Sequence, residues 1–82
     1  MQNKPHSKKL YETKDLFIAS VLYASGLALS SSKWNDGKCY FYFENVSDCE
    51  KIVNDYYQNK LTLNAKTLLD AMQTIKGILR SR

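Results

Sequence analysis

Histidine, cysteine, glycine and proline are all scarce in this chain, and each shortage removes a class of chemistry. The one histidine, His6, stands in the N-terminal tail, far along the chain from most of the carboxylates. General acid–base catalysis needs a positioned base with a shifted pKa, and nucleophilic catalysis needs an activated partner. The carboxylates Asp15, Glu44, Asp48 and Glu50 read instead as helix caps or strand ends. No enzyme is expected. The two cysteines, Cys39 and Cys49, fall in no metal-ligand spacing, and a zinc site needs about four ligands of such kinds. No metal or cofactor is implied. A Cys39–Cys49 disulfide depends on a geometry that spacing does not give; two buried thiols in a cytosolic protein are the expected state. The three glycines stand apart from one another, so no Gly-rich loop cradles a phosphate. With one proline, few glycines and no repeat, nothing marks the chain as disordered or fibrous.

A long apolar run is also missing. Lysines followed by "LFIASVLYASGLALSSS", Leu16 to Ser32, imitate a signal peptide with a small-residue cleavage zone. Glu12 and Asp15 flank that run where a signal would be free of acids. Ser25 and Gly26 interrupt it, well short of the roughly 20 apolar residues of a membrane span. Cleavage would also discard the most hydrophobic segment. A cytoplasmic protein without membrane contact is expected.

What remains is enough for one domain. The chain has 82 residues, of which 44% are apolar and 24% charged. A domain this short buries roughly 60–65% of its surface, so a partner or a dimer would add to a modest stability. The net charge of +4 is concentrated at the ends. Residues 1–9 carry Lys4, Lys8 and Lys9 without an acid, and residues 73–82 carry Lys76, Arg80 and Arg82 without one. Between them, six lysines face eight acids. Whether the basic ends meet in one patch or stay a solvated tail and a helix end is a structural question.

Residues 1–10 read as a flexible basic tail and 11–82 as a single α+β domain. A first helix is expected to open at Thr13, with Asp15 in its first turn. Its apolar residues, from Leu16 to Ala24, occupy nearly every side, which predicts a central, buried post. Gly26 ends it, and Leu27 folds back against Leu22. Asp36-Gly37 between two extended runs is a hairpin signal. Alternation in "KCYFYFE" puts Cys39, Phe41 and Phe43 on one face and Lys38, Tyr40, Tyr42 and Glu44 on the other. Ser47 and Glu50 predict a capping box for a second helix with the stripe Cys49, Ile52, Val53, Tyr56 and Tyr57, ending at Asn59. A third helix starts at Asn64, stapled by Leu63 and Leu68, with Leu68, Met72, Ile75 and Leu79 facing inward and Ala71 and Ile78 at the margin. Gly77 lies on its outer face. The order helix, β-hairpin, helix, helix describes a two-stranded ribbon packed on a helical layer. Such a ribbon is weak and leaves open edges, so a homodimer through the hairpin edge is expected.

Two resemblances are carried by these residues. "YFYFENVSDCEKIVNDY" resembles the third strand and second helix of an RNA-recognition motif. There Tyr40 would stack on a base, and "KLTLNAKTL" would imitate the last strand. That motif also requires a first strand before the first helix, and residues 1–10 are too polar for one. Lys38 and Cys39 stand where its glycine is expected. The second resemblance covers Thr13 to about Leu79: "TKDLFIASVLYASGL", "CYFYFEN", the "YY" closing the second helix, and "LNAKTLLDAMQTIKGIL". Together these are similar to an uncharacterised family of small proteins from bacteria, their phages and mobile elements, a domain of unknown function. That resemblance implies fold and gene setting, and brings no activity with it.

The function expected is a small non-enzymatic binding module, with nucleic acid ahead of protein. Tyr40 and Tyr42, two apart on a strand, suit stacking on unpaired bases. Lys33, Lys38, Lys66, Lys76, Arg80 and Arg82 would meet phosphates. The bland reading buries both tyrosines beneath a helix. The functional alternative is a phage or mobile-element protein that docks on a host protein, for example to inhibit a defence enzyme, by strand addition or by an aromatic anchor such as Tyr11 or Tyr40.

Overall fold

A computed structural model of the chain describes residues 9–81. His6, Lys4, Lys8 and Arg82 lie outside the described residues. Six elements follow in order: β1 (Tyr11–Thr13), α1 (Leu16–Ala24), β2 (Leu29–Asn35), β3 (Lys38–Phe43), α2 (Val46–Tyr57) and α3 (Ala65–Arg80). The α+β class holds, and the two-stranded ribbon is corrected to a three-stranded antiparallel sheet with order β1-β3-β2. The strand β1 pairs Tyr11, Glu12 and Thr13 with Phe43, Tyr42 and Phe41. That pairing closes the second edge of β3, so the strand that carries the four aromatics is central.

The added strand also moves the first helix cap. Thr13 is committed to the ladder opposite Phe41, where a β-branched residue fits well. Asp15 caps α1 instead, its Oδ1 accepting from the backbone N–H groups of Phe17 at 2.8 Å and Ile18 at 3.0 Å. Thr13 supports the cap by accepting from the Asp15 N–H at 3.1 Å. At the other end, Gly26 takes φ +92°. The N–H groups of Gly26 and Leu27 bond back to the carbonyls of Tyr23 and Leu22, both at 3.1 Å. This is the paired closure of a Schellman stop, and Leu27 packs on the core beside Leu22 as expected.

The hairpin turn has positive φ at both central residues, 54° at Asp36 and 78° at Gly37, which matches the twist of the flanking strands. A bulge between Leu29 and Ser31 breaks the register of β2 once. The cap of α2 differs from the expected Ser47–Glu50 box. Asn45, at φ 67°, caps the helix two residues earlier: its Nδ2 donates to Asp48 at 2.8 Å and its Oδ1 accepts from the Asp48 N–H. Asparagine tolerates the left-handed region that this sharp strand-to-helix corner demands. Asn59, at φ 60°, closes α2. Asn64 caps α3 by accepting from the Thr67 N–H at 3.1 Å.

One core joins the layers. Ile18, Ala19 and Leu22 of α1 meet Cys39, Phe41 and Phe43 of β3, Cys49 of α2 and Ile75 of α3. Five consecutive residues of α1, Ile18 to Leu22, are buried, so the helix is the central post, although Phe17 and Tyr23 at its ends are exposed. On α3 the buried pair is Ala71 and Ile75, so Ala71 belongs to the inner face rather than its margin. The stripe of α2 leaves the core at its end, where Tyr57 is 67% exposed. Cys39 and Cys49 are buried free thiols.

Gly77 sits in α3 with nothing within 4 Å of where a Cβ would stand. Gly77→Ala is therefore expected to stabilise the protein by about 0.5–1 kcal/mol. A thermal melt checks this, at roughly 4–8 °C per kcal/mol for a domain of this size; an unchanged or lower Tm contradicts it.

The chain order β-α-β-β-α also revises the resemblance to an RNA-recognition motif. A strand does precede the first helix, at Tyr11–Thr13 rather than within the polar tail. The departure comes at the other end, where "KLTLN" forms no strand and α3 follows. The likeness to that split β-α-β arrangement extends through five elements and is one of fold alone.

Candidate functional site

The three helices contribute to the core on the Phe41 and Phe43 side of β3. The pleat sends Tyr40 and Tyr42 to the opposite side. No described helix residue lines the cavity there. Its walls are Glu12, Lys33, Trp34, Asn35, Tyr40 and Tyr42, around a depression of about 430 Å³. Both tyrosines are half-buried by their strand neighbours. The reading that hides them beneath a helix is overturned.

The register places each group. Lys33 stands opposite Tyr40, Ser31 opposite Tyr42, and Asn35 opposite Lys38, all across the β2–β3 ladder. On the other flank Glu12 faces Tyr42. The Glu12 carboxylate lies across the ladder from Tyr42, and, after desolvation, its negative charge is among the causes that raise the Tyr42 hydroxyl. The face thus presents two phenol rings, a carboxylate on the β1 side, and ammonium groups at Lys33 and Lys38 on the β2 side and the turn. Flat rings offer stacking, the ammonium groups offer contacts to phosphates, and Glu12 and Asn35 offer hydrogen bonds to polar edges.

Of the residues expected to bind, the structure brings together Lys33, Tyr40 and Tyr42, with Lys38 on the same face by alternation. It does not bring in Lys66, Lys76 and Arg80, which are exposed on α3 in the helical layer. Lys66 is engaged there with Asp70 at 2.9 Å. Glu12 and Asn35 are the site residues that sequence reasoning missed; Trp34, opposite Cys39, turns its side chain to the core. The triplet Tyr11-Glu12-Thr13 alternates, but three residues behind a polar tail give no periodic signal. Among the described residues, no group of three or more His, Cys, Asp or Glu side chains could hold a metal. No helix of the described residues is long and apolar enough to cross a membrane.

Two other cavities are smaller. One of about 330 Å³ lies among Val21, Tyr56, Asn59, Leu61, Leu63 and Leu68, and so unites the two leucines expected to staple α3. The second, of about 230 Å³, lies between Tyr23 and Ala24 of α1 and Thr67, Asp70, Ala71 and Thr74 of α3. Neither has a lysine or an arginine in its wall. Of these three cavities among the described residues, the one on the sheet face combines tyrosine rings with a lysine in its wall.

This arrangement of a capped, apolar α1, an aromatic central strand and a long α3 runs through the region matched by one family model. Residues 8–81 match the family described as Domain of unknown function (DUF5659). The chain belongs to this family. No curated protein and no solved structure matches it. Family membership agrees with the resemblance seen in the sequence and extends it to residue 8 at the N-terminal side.

Two thiols and two phenols of the sheet and α2 have raised pKa values. Burial raises the thiols of Cys39 and Cys49 above their ordinary 9.0, and at Cys49 the carboxylates of Asp48 and Glu50 add to it. Tyr11 is raised above 10.0 by burial first, then by Cys49, Tyr57 and Glu50. Tyr42 is raised by desolvation first, then by the charge and hydrogen bond of Glu12 and by Tyr40. At alkaline pH the folded chain therefore keeps protons that the unfolded chain has released. Its stability is full below the unfolded values and falls as pH rises from about 9 through the raised folded values. Urea midpoints at pH 7.5, 9 and 10.5 should decline in that order; a constant midpoint contradicts these environments.

Proposed function

We propose that the domain binds single-stranded nucleic acid on the uncovered face of its sheet, without catalysing a reaction. The observation that carries this reading is the pair Tyr40 and Tyr42 on a face no described helix covers, with Lys33 directly across the ladder. Two rings on alternate residues are about 7 Å apart along a strand, a spacing that two unstacked bases can span. Each base–ring contact contributes about 1–3 kcal/mol and tolerates any base. Lys33 and Lys38 supply phosphate contacts, and the α3 cations are left out of the interface.

Fluorescence anisotropy of a labelled single-stranded octamer and its duplex, across a salt series, tests this. Single-strand binding should exceed duplex binding. The log–log salt slope for two phosphate contacts should be about −1.4. No binding, or binding indifferent to salt, overturns the reading.

A second reading rests on a different surface. Tyr57, 67% exposed, sits edge-to-face on Tyr56 with ring centroids 5.2 Å apart. Such a cluster suits an aromatic anchor for a protein partner, in a phage or mobile element a host defence enzyme. Partners retained from nuclease-treated host lysate, and lost in Tyr57→Ala, would favour it. Under either reading the protein acts in the cytoplasm. The outer edge of β2 is the hairpin edge left for a second copy, and a monomeric mass in light scattering at tens of micromolar would remove that dimer.

A further inference from the structure

The charges in the wall of the sheet-face cavity are divided between its two flanking strands, and the division orients a bound nucleotide. Among the described residues Glu12 is the only carboxylate in the cavity wall, and it stands on β1, across from Tyr42. Lys33 stands on β2, on the far side of β3 and opposite the neighbouring ring Tyr40. A nucleotide stacked on Tyr42 has its phosphate repelled from the β1 side and drawn to the β2 side. Its base edge then points toward Glu12.

A carboxylate accepts hydrogen bonds and donates none. Glu12 faces Tyr42 across the ladder, and its two oxygens offer about four lone-pair positions. The base edge that matches this is the one with two adjacent donors. Guanine presents N1–H and the N2 amino group side by side on its unpaired Watson–Crick edge. Adenine and cytosine offer one amino group beside an acceptor. Uracil and thymine offer one N–H between two carbonyls, which a carboxylate repels.

Resting on the single-strand reading above, we propose that Glu12 selects guanine as the base stacked on Tyr42, through paired hydrogen bonds from N1–H and N2–H to its carboxylate. Glu12 is then the specificity residue of the face, and the tyrosines and lysines supply affinity for any base. The consequence is a preference for unpaired guanine, since in a duplex or a folded stem that edge is already taken.

The experiment compares three labelled RNA octamers in lithium buffer: oligouridylate, the same strand with one central guanine, and the same strand with inosine in place of the guanine. Inosine lacks only the N2 amino group, so the comparison needs no protein variant. The guanine strand should bind about tenfold more tightly than the inosine strand, as expected for a lost hydrogen bond to a charged group. In Glu12→Ala, an exposed position whose folding circular dichroism checks, that difference should fall to within about twofold. Equal binding of all three strands by the native protein overturns the guanine assignment and leaves the stacking reading standing. Discrimination retained in Glu12→Ala overturns the role of Glu12. Absence of binding to any strand overturns both readings.

Discussion

Phe41→Ala is expected to remove about 3–5 kcal/mol of stability. Phe41 is fully buried and lies at the middle of the central strand, between Thr13 on β1 and Ser32 on β2. Its ring joins the core cluster with residues of all three helices, so its loss leaves a cavity that no single element can collapse to fill. A domain of this length holds in total about 4–12 kcal/mol, at roughly 0.05–0.15 kcal/mol per residue. The variant is therefore expected to be partly unfolded at 37 °C. Phe41→Leu, which keeps most of the volume, should cost less than half as much. Urea unfolding followed by the fluorescence of Trp34, half-buried against the core, measures both. A loss below about 1 kcal/mol for the alanine variant would contradict the packing described.

The neighbouring substitutions should behave in the opposite way. Tyr40→Ala and Tyr42→Ala remove rings from the face without helices, where the loss is a cross-strand contact worth about 0.2–1 kcal/mol each. The fold should persist. Binding of a single strand should not, because each ring is expected to contribute about 1–3 kcal/mol of stacking. The double variant should bind roughly 30-fold to 10⁴-fold more weakly, at 1.4 kcal/mol for each factor of ten. Phenylalanine at both positions should restore most of the affinity, since stacking uses the ring and not the hydroxyl. Anisotropy with a labelled octamer separates these outcomes. Full affinity in the double alanine variant would mean that the strand binds elsewhere.

Alternate residues of one strand thus face the core and the side of the sheet without helices, and that much was legible in "CYFYFEN". A period of two needs only a few residues to declare itself when the side chains differ as phenylalanine and tyrosine do. The helix stops at Gly26 and Asn59, the Asp36-Gly37 turn and the Asn64 cap were legible for the same local reason: each requires a residue type at one position. What escaped was decided by distant pairing. Tyr11-Glu12-Thr13 becomes a strand only because β3 has an edge for it, and Thr13 is drawn from a capping role into the ladder by that contact. With β1 unseen, Glu12 was invisible as a site residue. The Ser47–Glu50 pattern was a competent cap, overruled by the sharp corner at Asn45, where a positive φ lets the helix start two residues sooner. The α3 lysines looked equivalent to those on the hairpin because charge carries no address along a chain.

Ring resonances of Tyr40 and Tyr42, assigned by nuclear magnetic resonance and followed as a single-stranded octamer is added, test the central claim most directly. The account predicts upfield movement of both rings with saturation at one common affinity, a smaller response at Lys33 and Glu12, and still resonances along α3. Unmoved tyrosine rings beside shifting signals from Lys66, Lys76 or Arg80 would contradict it.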